Sequence, residues 1–293
     1  MNRFTGILLI VLSAASFGTL AIFGRFAYAE GMDTFTVLFL RFGLSAAFMT
    51  LFLILRKEPF PRGRVLLQLI GMGALGYAGQ SYLYMTAIKY ASAGLVALLL
   101  YLYPFFVATL SMVFLHEKLT RAKIIALVLA LVGAALTVGP VSGQLIGAFM
   151  AITAALVYSI YIMVGASVMK NVSAFQSSTV IFSSAGMVYG SLTFANGPHF
   201  PQTSTGWLVI LGIVLISTVI PVVTFLAGLS KVGATNAAML STIEPVVTVL
   251  LSTWLFGDKL TPIVLVGGLF ILVAVVLLTR AEFGQSAESQ PGV

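Results

Sequence analysis

The chain has 293 residues, of which 60% are hydrophobic and 8% charged, with a mean hydropathy of +1.10 and no cysteine. A charged fraction about a third of the soluble norm excludes a soluble globular protein, and the missing cysteine excludes disulfides, thiolate metal sites and a cysteine nucleophile. Fifteen Lys and Arg against eight Asp and Glu leave a charge of +7, which in so apolar a chain is read by its position along loops and not as a nucleic-acid footprint.

A bilayer core takes about 20 helical residues, so uncharged runs predict the spans. Residues 4–24 form the first; Arg3 ahead of an apolar run and Ser13-Ala14-Ala15 imitate a signal peptide, but the run reads as a span. Residues 34–55, carrying Arg41, form the second, and 65–88 and 90–115 the third and fourth. The stretch 124–169 divides at Gly139-Pro140-Val141-Ser142-Gly143-Gln144 into the fifth and sixth. The stretch 171–230 divides around Asn196-Gly197-Pro198 into 177–194 and 207–229; 236–256, carrying Glu244, and 260–279 complete ten. Residues 281–293 read as a polar, disordered cytoplasmic tail.

Ten spans place both termini on one face. That face receives Arg3, Arg56, Lys57, Arg62, Arg64, Lys118, Arg121, Lys123, Lys170, Lys231 and Arg280, while the other receives Arg25, Lys89 and Lys259. By the positive-inside rule the expectation is a multi-pass protein of a bacterial-type inner (plasma) membrane with both termini cytoplasmic.

Sliding the sequence by 141 positions aligns Pro104 with Pro245, Ser111 with Ser252 and Lys118-Leu119-Thr120 with Lys259-Leu260-Thr261. A shift of 143 aligns Val37, Phe39 and Gly43 with Val180, Phe182 and Gly186. The chain therefore divides into repeats 1–141 and 142–280, followed by the tail 281–293. Five helices is an odd number, so the second repeat enters the membrane from the opposite side, the inverted arrangement of secondary transporters. The expected fold is an all-α membrane protein with ten helices, two inverted five-helix repeats, around a central cavity.

Each repeat carries a helical Pro followed thirteen residues later by an acid-Lys-Leu-Thr turn. This pattern resembles the drug/metabolite transporter superfamily, EamA type, over residues 1 to 280, and Glu244-Pro245 also resembles the family pattern. Typical members carry Gly-Glu at each turn; here the turns read His116-Glu117 and Gly257-Asp258. Within the family the Tyr-rich spans look most like amino-acid exporters of the YddG type, and that resemblance implies amino acids, aromatic ones included, as substrates.

Arg41 lies about 10 Å into its span at 1.5 Å per residue, where an arginine costs roughly 2.5–3.5 kcal/mol. Two readings stand: an anion or carboxylate contact, or a guanidinium that snorkels to the outer interface or ties helix ends. Glu244, about 12 Å from its helix start, precedes Pro245, which cannot donate to the Ser241 carbonyl. It could bind a substrate ammonium or carry a proton, or it could be a protonated or hydrogen-bonded acid stabilising a kink. Pro104 and Pro221 free the carbonyls of Leu100 and Ser217 in the same way, and helix breaks near the midplane are where transporters place their sites.

Tyr77, Gln80, Ser81 and Tyr84 share one helix face and should look inward. Tyr82, Tyr101, Tyr158 and Tyr161 add aromatic rings suited to apolar or cationic groups, against the alternative of interface anchoring or packing. Tyr103, Ser13, Ser16, Thr19, Ser241 and Thr242 offer further hydroxyls. His-Glu-x-x-His is absent, because Thr120 stands where the second histidine would be, and Gly71-x-Gly73-x-x-Gly76 inside an apolar helix reads as close packing, not a phosphate loop.

The function expected is a monomeric secondary transporter exporting small amphipathic metabolites by alternating access. It would use no cofactor and no metal and be driven by the solute gradient or by coupled protons. Its partners are a small-molecule substrate and the lipid bilayer, with no nucleic acid. An intramembrane enzyme is disfavoured because neither histidine lies in a span and no catalytic residue is identifiable; a channel is disfavoured because the spans lack rings of charge.

Overall fold

The structure, a computed structural model, describes residues 3–87, 90–91, 93–114, 116, 120–137, 144–257 and 261–288. Residues 117–119, 138–143 and 258–260, on which the expected turns fall, lie outside the described residues. The described chain forms ten helical units: α1 (Arg3–Ala29), α2 (Thr34–Leu55), α3 (63–87), α4 (93–114), α5 (Arg121–Thr137), α6 (Leu145–Val168), α7 (Ala174–Asn196), α8 (Ser204–Val232), α9 (Ala234–Phe256) and α10 (Pro262–Glu288). By length and composition α1, α2, α6, α8 and α9 can each cross a membrane, and shorter apolar helices run over Tyr103–Phe114 in α4 and Pro262–Leu278 in α10. α7 is less apolar because it is an interior helix: its buried Ser177, Thr179 and Ser184 donate to the carbonyls of Ser173, Phe175 and Val180, each at 2.8 Å. Back-bonding of this kind lets hydroxyls enter an apolar bundle at little cost.

The expected disordered tail is corrected over 281–288, where α10 continues to Glu288. The segment holds Ala281, Glu282, Gln285 and Ala287 and no proline before Pro291, so a helix already under way continues through it despite Gly284.

Packing displays a two-fold relation between the repeats. α2 packs on α7, α4 on α9 and α5 on α10, each against its own equivalent, while α1 packs on α8 and, reciprocally, α6 on α3. The contact is close where equivalents meet: a Cβ on Gly186 would stand 3.2 Å from the Gly43 nitrogen, so two glycines aligned by the 143-residue shift let α2 and α7 touch through their backbones. The exchanged pair is made twice in the same register. Gly6 lies against Val232 and Gly228, and Gly147 against Ala91 and Ala87, positions that differ by 141 throughout. The helix irregularities also pair: π turns occupy Met72–Tyr77 in α3 and Leu215–Val219 in α8, and the irregular turn at 101–102 in α4 matches the 3₁₀ turn Ser241–Ile243 in α9.

The α2–α7 pair is fastened at both ends. At one end Ser173 closes a capping box with Gln176 and donates to Glu58 at 2.7 Å. At the other, Asp33 caps α2 by accepting from the Phe35 and Thr36 amides at 2.8 and 3.1 Å, and stands 3.2 Å from His199 Nδ1. Partial burial pushes the Asp33 carboxyl up, but the Thr36, Phe35 and His199 hydrogen bonds outweigh it and hold it below its ordinary 3.8. A carboxyl depressed in the folded state contributes stability above its unfolded value and loses it as pH falls through the folded one. Asp33→Ala is therefore expected to cost about 1 kcal/mol at neutral pH, as cap losses do. In thermal melts of detergent-purified protein, the gap between the two proteins closes as pH is lowered below 3.8.

Candidate functional site

The irregular turns converge in the interior. α1 is interrupted at Thr19, whose hydroxyl donates to Ser16 O at 2.6 Å and lies 2.7 Å from Ser217 Oγ in the π turn of α8. Ser13 Oγ donates to the carbonyl of Pro221 at 2.7 Å. On the other side Gly18 presses against the Glu244 carbonyl, and Thr248 donates to Gly18 O at 3.0 Å. Pro221 follows the π turn of α8, Pro245 follows the 3₁₀ turn of α9, and Pro104 follows the irregular turn of α4, so each proline sits beside a break. One expectation is corrected: the Ser241 carbonyl is not left free, because the tightened 3₁₀ turn brings the Glu244 N–H onto it.

A row of rings crosses this interior from α7 to α4. Tyr189 stacks on Phe42 with centroids 5.7 Å apart, Phe42 meets Tyr77 edge-on at 5.1 Å, Tyr77 stacks on Tyr161 at 5.6 Å, Tyr161 on Tyr158 at 5.9 Å, and Tyr158 meets Tyr103 at 4.9 Å. The hydroxyls at its ends are anchored, Tyr189 to Ala78 O at 2.9 Å and Tyr103 to Ala238 O at 3.3 Å. Tyr77, Tyr103 and Tyr161 are buried, whereas Tyr158, Tyr101, Tyr84 and Gln80 are half-buried. Ser81 is buried beside the Tyr189 hydroxyl and Ser241 beside that of Tyr103.

Tyr82 does not join them. It is 48% exposed, since five residues on from Tyr77 at about 100° each carry it well off the Tyr77–Ser81–Tyr84 face. Tyr82→Ala is expected to shift stability by no more than about 0.5 kcal/mol, while Tyr161→Ala, which opens the ring row, costs about 3 kcal/mol; parallel thermal melts check the contrast.

Two charges stand in this aromatic interior. Arg41 is only 5% exposed, so it does not snorkel to the interface. Its Nε donates to Thr218 Oγ1 at 2.8 Å and its Nη2 to the Tyr77 hydroxyl at 3.0 Å, with its guanidinium carbon 4.9 Å from the Phe42 ring centre. Glu244 is half-buried at the first turn of the α9 segment Glu244–Phe256. Its carboxyl lies within electrostatic range of Arg41, and Thr248 donates to its backbone carbonyl at 3.2 Å. Among the described residues the two charges are not hydrogen-bonded to each other, Arg41 giving its bonds to Thr218 and Tyr77. A guanidinium and a carboxyl set among these rings offer one partner to each charged end of a solute bearing both charges.

Sequence reasoning missed Thr218, Phe42 and Tyr189. Thr218 carried a signal, because the 141-residue shift that aligns the repeats places it on Tyr77. By contrast, a concavity of about 710 Å³ on the outside of the bundle is an apolar groove lined by Leu44, Phe48, Trp207 and Leu211 and contains none of these residues.

A family model described as the EamA-like transporter family matches residues 4–139 and 145–280. An uncharacterized transporter of Archaeoglobus fulgidus is 30% identical over 273 residues, 92% of this chain and 95% of that one. A protein of Streptantibioticus cattleyicolor described as a probable terminal-alkyne amino-acid exporter is 29% identical over 245 residues, 79% of this chain and 80% of its own. A solved crystal structure superimposes with a TM-score of 0.83 at 18% identity, covering 96% of this chain and 98% of that chain, a likeness of fold.

Proposed function

From the premise that the chain belongs to the EamA-like transporter family, a multi-pass membrane transporter and not an enzyme, we propose that it exports amino acids, aromatic ones included, by alternating access. The observation that carries this reading is the pair Arg41 and Glu244: a guanidinium and a carboxyl set in one aromatic interior and not hydrogen-bonded to each other. An α-amino acid supplies a carboxylate for the guanidinium, an ammonium for the glutamate and a side chain for Tyr77, Tyr158 and Tyr161. The likeness to a probable terminal-alkyne amino-acid exporter supports the same class. The two repeats rock about the shared site, opening it to one face and then the other, with both termini cytoplasmic, one chain completing one pathway, and the solute gradient or protons as the driving force.

The test is counterflow of a panel of labelled amino acids by purified protein in liposomes, with and without a pH gradient. Saturable flux that Gln80→Ala lowers supports the reading, and its response to the gradient assigns the coupling. Absence of flux for every amino acid overturns the substrate class and turns the search to nucleosides, sugars and cationic drugs.

A further inference from the structure

Arg41 does more than present a charge. Its two hydrogen-bond partners, Tyr77 and Thr218, are 141 positions apart, so they are the same position in the two repeats. Both belong to the π turns, Tyr77 closing Met72–Tyr77 and Thr218 lying within Leu215–Val219. A π turn carries one residue too many for the regular ladder and leaves a carbonyl to be satisfied otherwise; in α8 Thr218 Oγ1 meets that need by donating to Ile213 O at 2.7 Å. The Thr218 hydroxyl thus receives from Arg41 and gives to Ile213, a relay that ties the guanidinium to the broken backbone of α8. Two residues along α2 from Arg41, Gly43 touches its repeat equivalent Gly186, and equivalents touch only where the pseudo-two-fold axis passes. Arg41 is therefore beside the axis, where an exchange of conformations between the repeats moves atoms least.

We propose that Arg41 is the pivot of alternating access: a positioning residue whose bonds to Tyr77 and Thr218 persist in both states and force the two π turns to move as one. With the pivot in place, opening at one face is bound to closing at the other. Without it, α3 and α8 are free to open independently, and the protein becomes leaky as well as slow. This rests on the transporter reading of the family, but not on the identity of the substrate.

The experiment compares wild type, Thr218→Val, the double variant Tyr77→Phe with Thr218→Val, and Thr218→Ser, all reconstituted after each has been shown monodisperse and thermally stable. Glycerol entry into the liposomes, followed by light scattering, reports leak and needs no knowledge of the substrate. Counterflow and equilibrium binding of the transported amino acid report exchange and affinity. A pivot predicts that the double variant raises glycerol leak about ten-fold or more, since each of the two bonds to a charged group carries at least that factor, and slows exchange more than it weakens binding, while Thr218→Ser behaves as wild type. A double variant as tight to glycerol as wild type overturns the pivot. So does one in which binding and exchange fall together with no leak, the signature of a purely structural or binding role. If no amino acid is transported by wild type, the substrate reading fails while the leak comparison still decides the pivot.

Discussion

Glu244→Gln is expected to lower amino-acid counterflow roughly a hundred-fold, because a substrate ammonium left facing a neutral amide in a desolvated site loses about 2–5 kcal/mol. The side chain is nearly isosteric and directly follows the 3₁₀ turn Ser241–Ile243, so folding should be retained. Binding measured beside flux separates two roles. A weaker Kd assigns Glu244 to the ammonium, whereas unchanged binding with flux that no longer responds to a pH gradient assigns it to a proton. A variant with wild-type flux and wild-type pH response removes Glu244 from the mechanism.

Gly73→Val is expected to be the most damaging single change to the fold. Gly73 lies in the π turn of α3 where that helix crosses α7, and a Cβ there would overlap the Ser184 hydroxyl and the backbone of Ile181. The hydroxyl can rotate away, but the Ile181 carbonyl belongs to a helix clamped at both ends and cannot, so even Ala costs about 1–3 kcal/mol of overpacking, and Val, with its branched Cβ, costs more. Gly79, two residues past the π turn, has open space where its Cβ would stand, and Gly79→Ala is expected to be neutral or slightly stabilising. Yield of monodisperse protein and melting temperature, compared for the two positions, check this.

Much of this architecture could be read from residue order because a bilayer imposes it: uncharged runs near 20 residues give the spans, and an odd number of helices per repeat gives the inversion. Gly43 and Gly186 emerged as equivalents from the sequence alone, and the structure places them in contact. The inward face of Tyr77, Ser81 and Tyr84 was likewise legible in helical periodicity. Tyr82 was not, since a Tyr count does not say which way a ring points. The partners of Arg41 were hidden for a different reason. Depth in a span is a property of one helix, and it left snorkelling and interior bonding open, whereas Thr218 lies 177 residues away and meets Arg41 only through the packing of α2 against α8. The π turns were hidden too, because one extra residue in a turn leaves apolar composition unchanged; only the glycines around Gly73 and the proline at 221 marked their neighbourhoods.

The central claim is that Arg41 and Glu244 hold the two charged ends of one solute. It is tested most directly by equilibrium binding of phenylalanine to the purified protein beside two analogues, phenylalaninamide, which lacks the carboxylate, and hydrocinnamic acid, which lacks the ammonium. Phenylalanine is expected to bind saturably and each analogue about a hundred-fold or more weakly, since each leaves one buried charge without its partner. Binding of either analogue as tight as that of phenylalanine would contradict it.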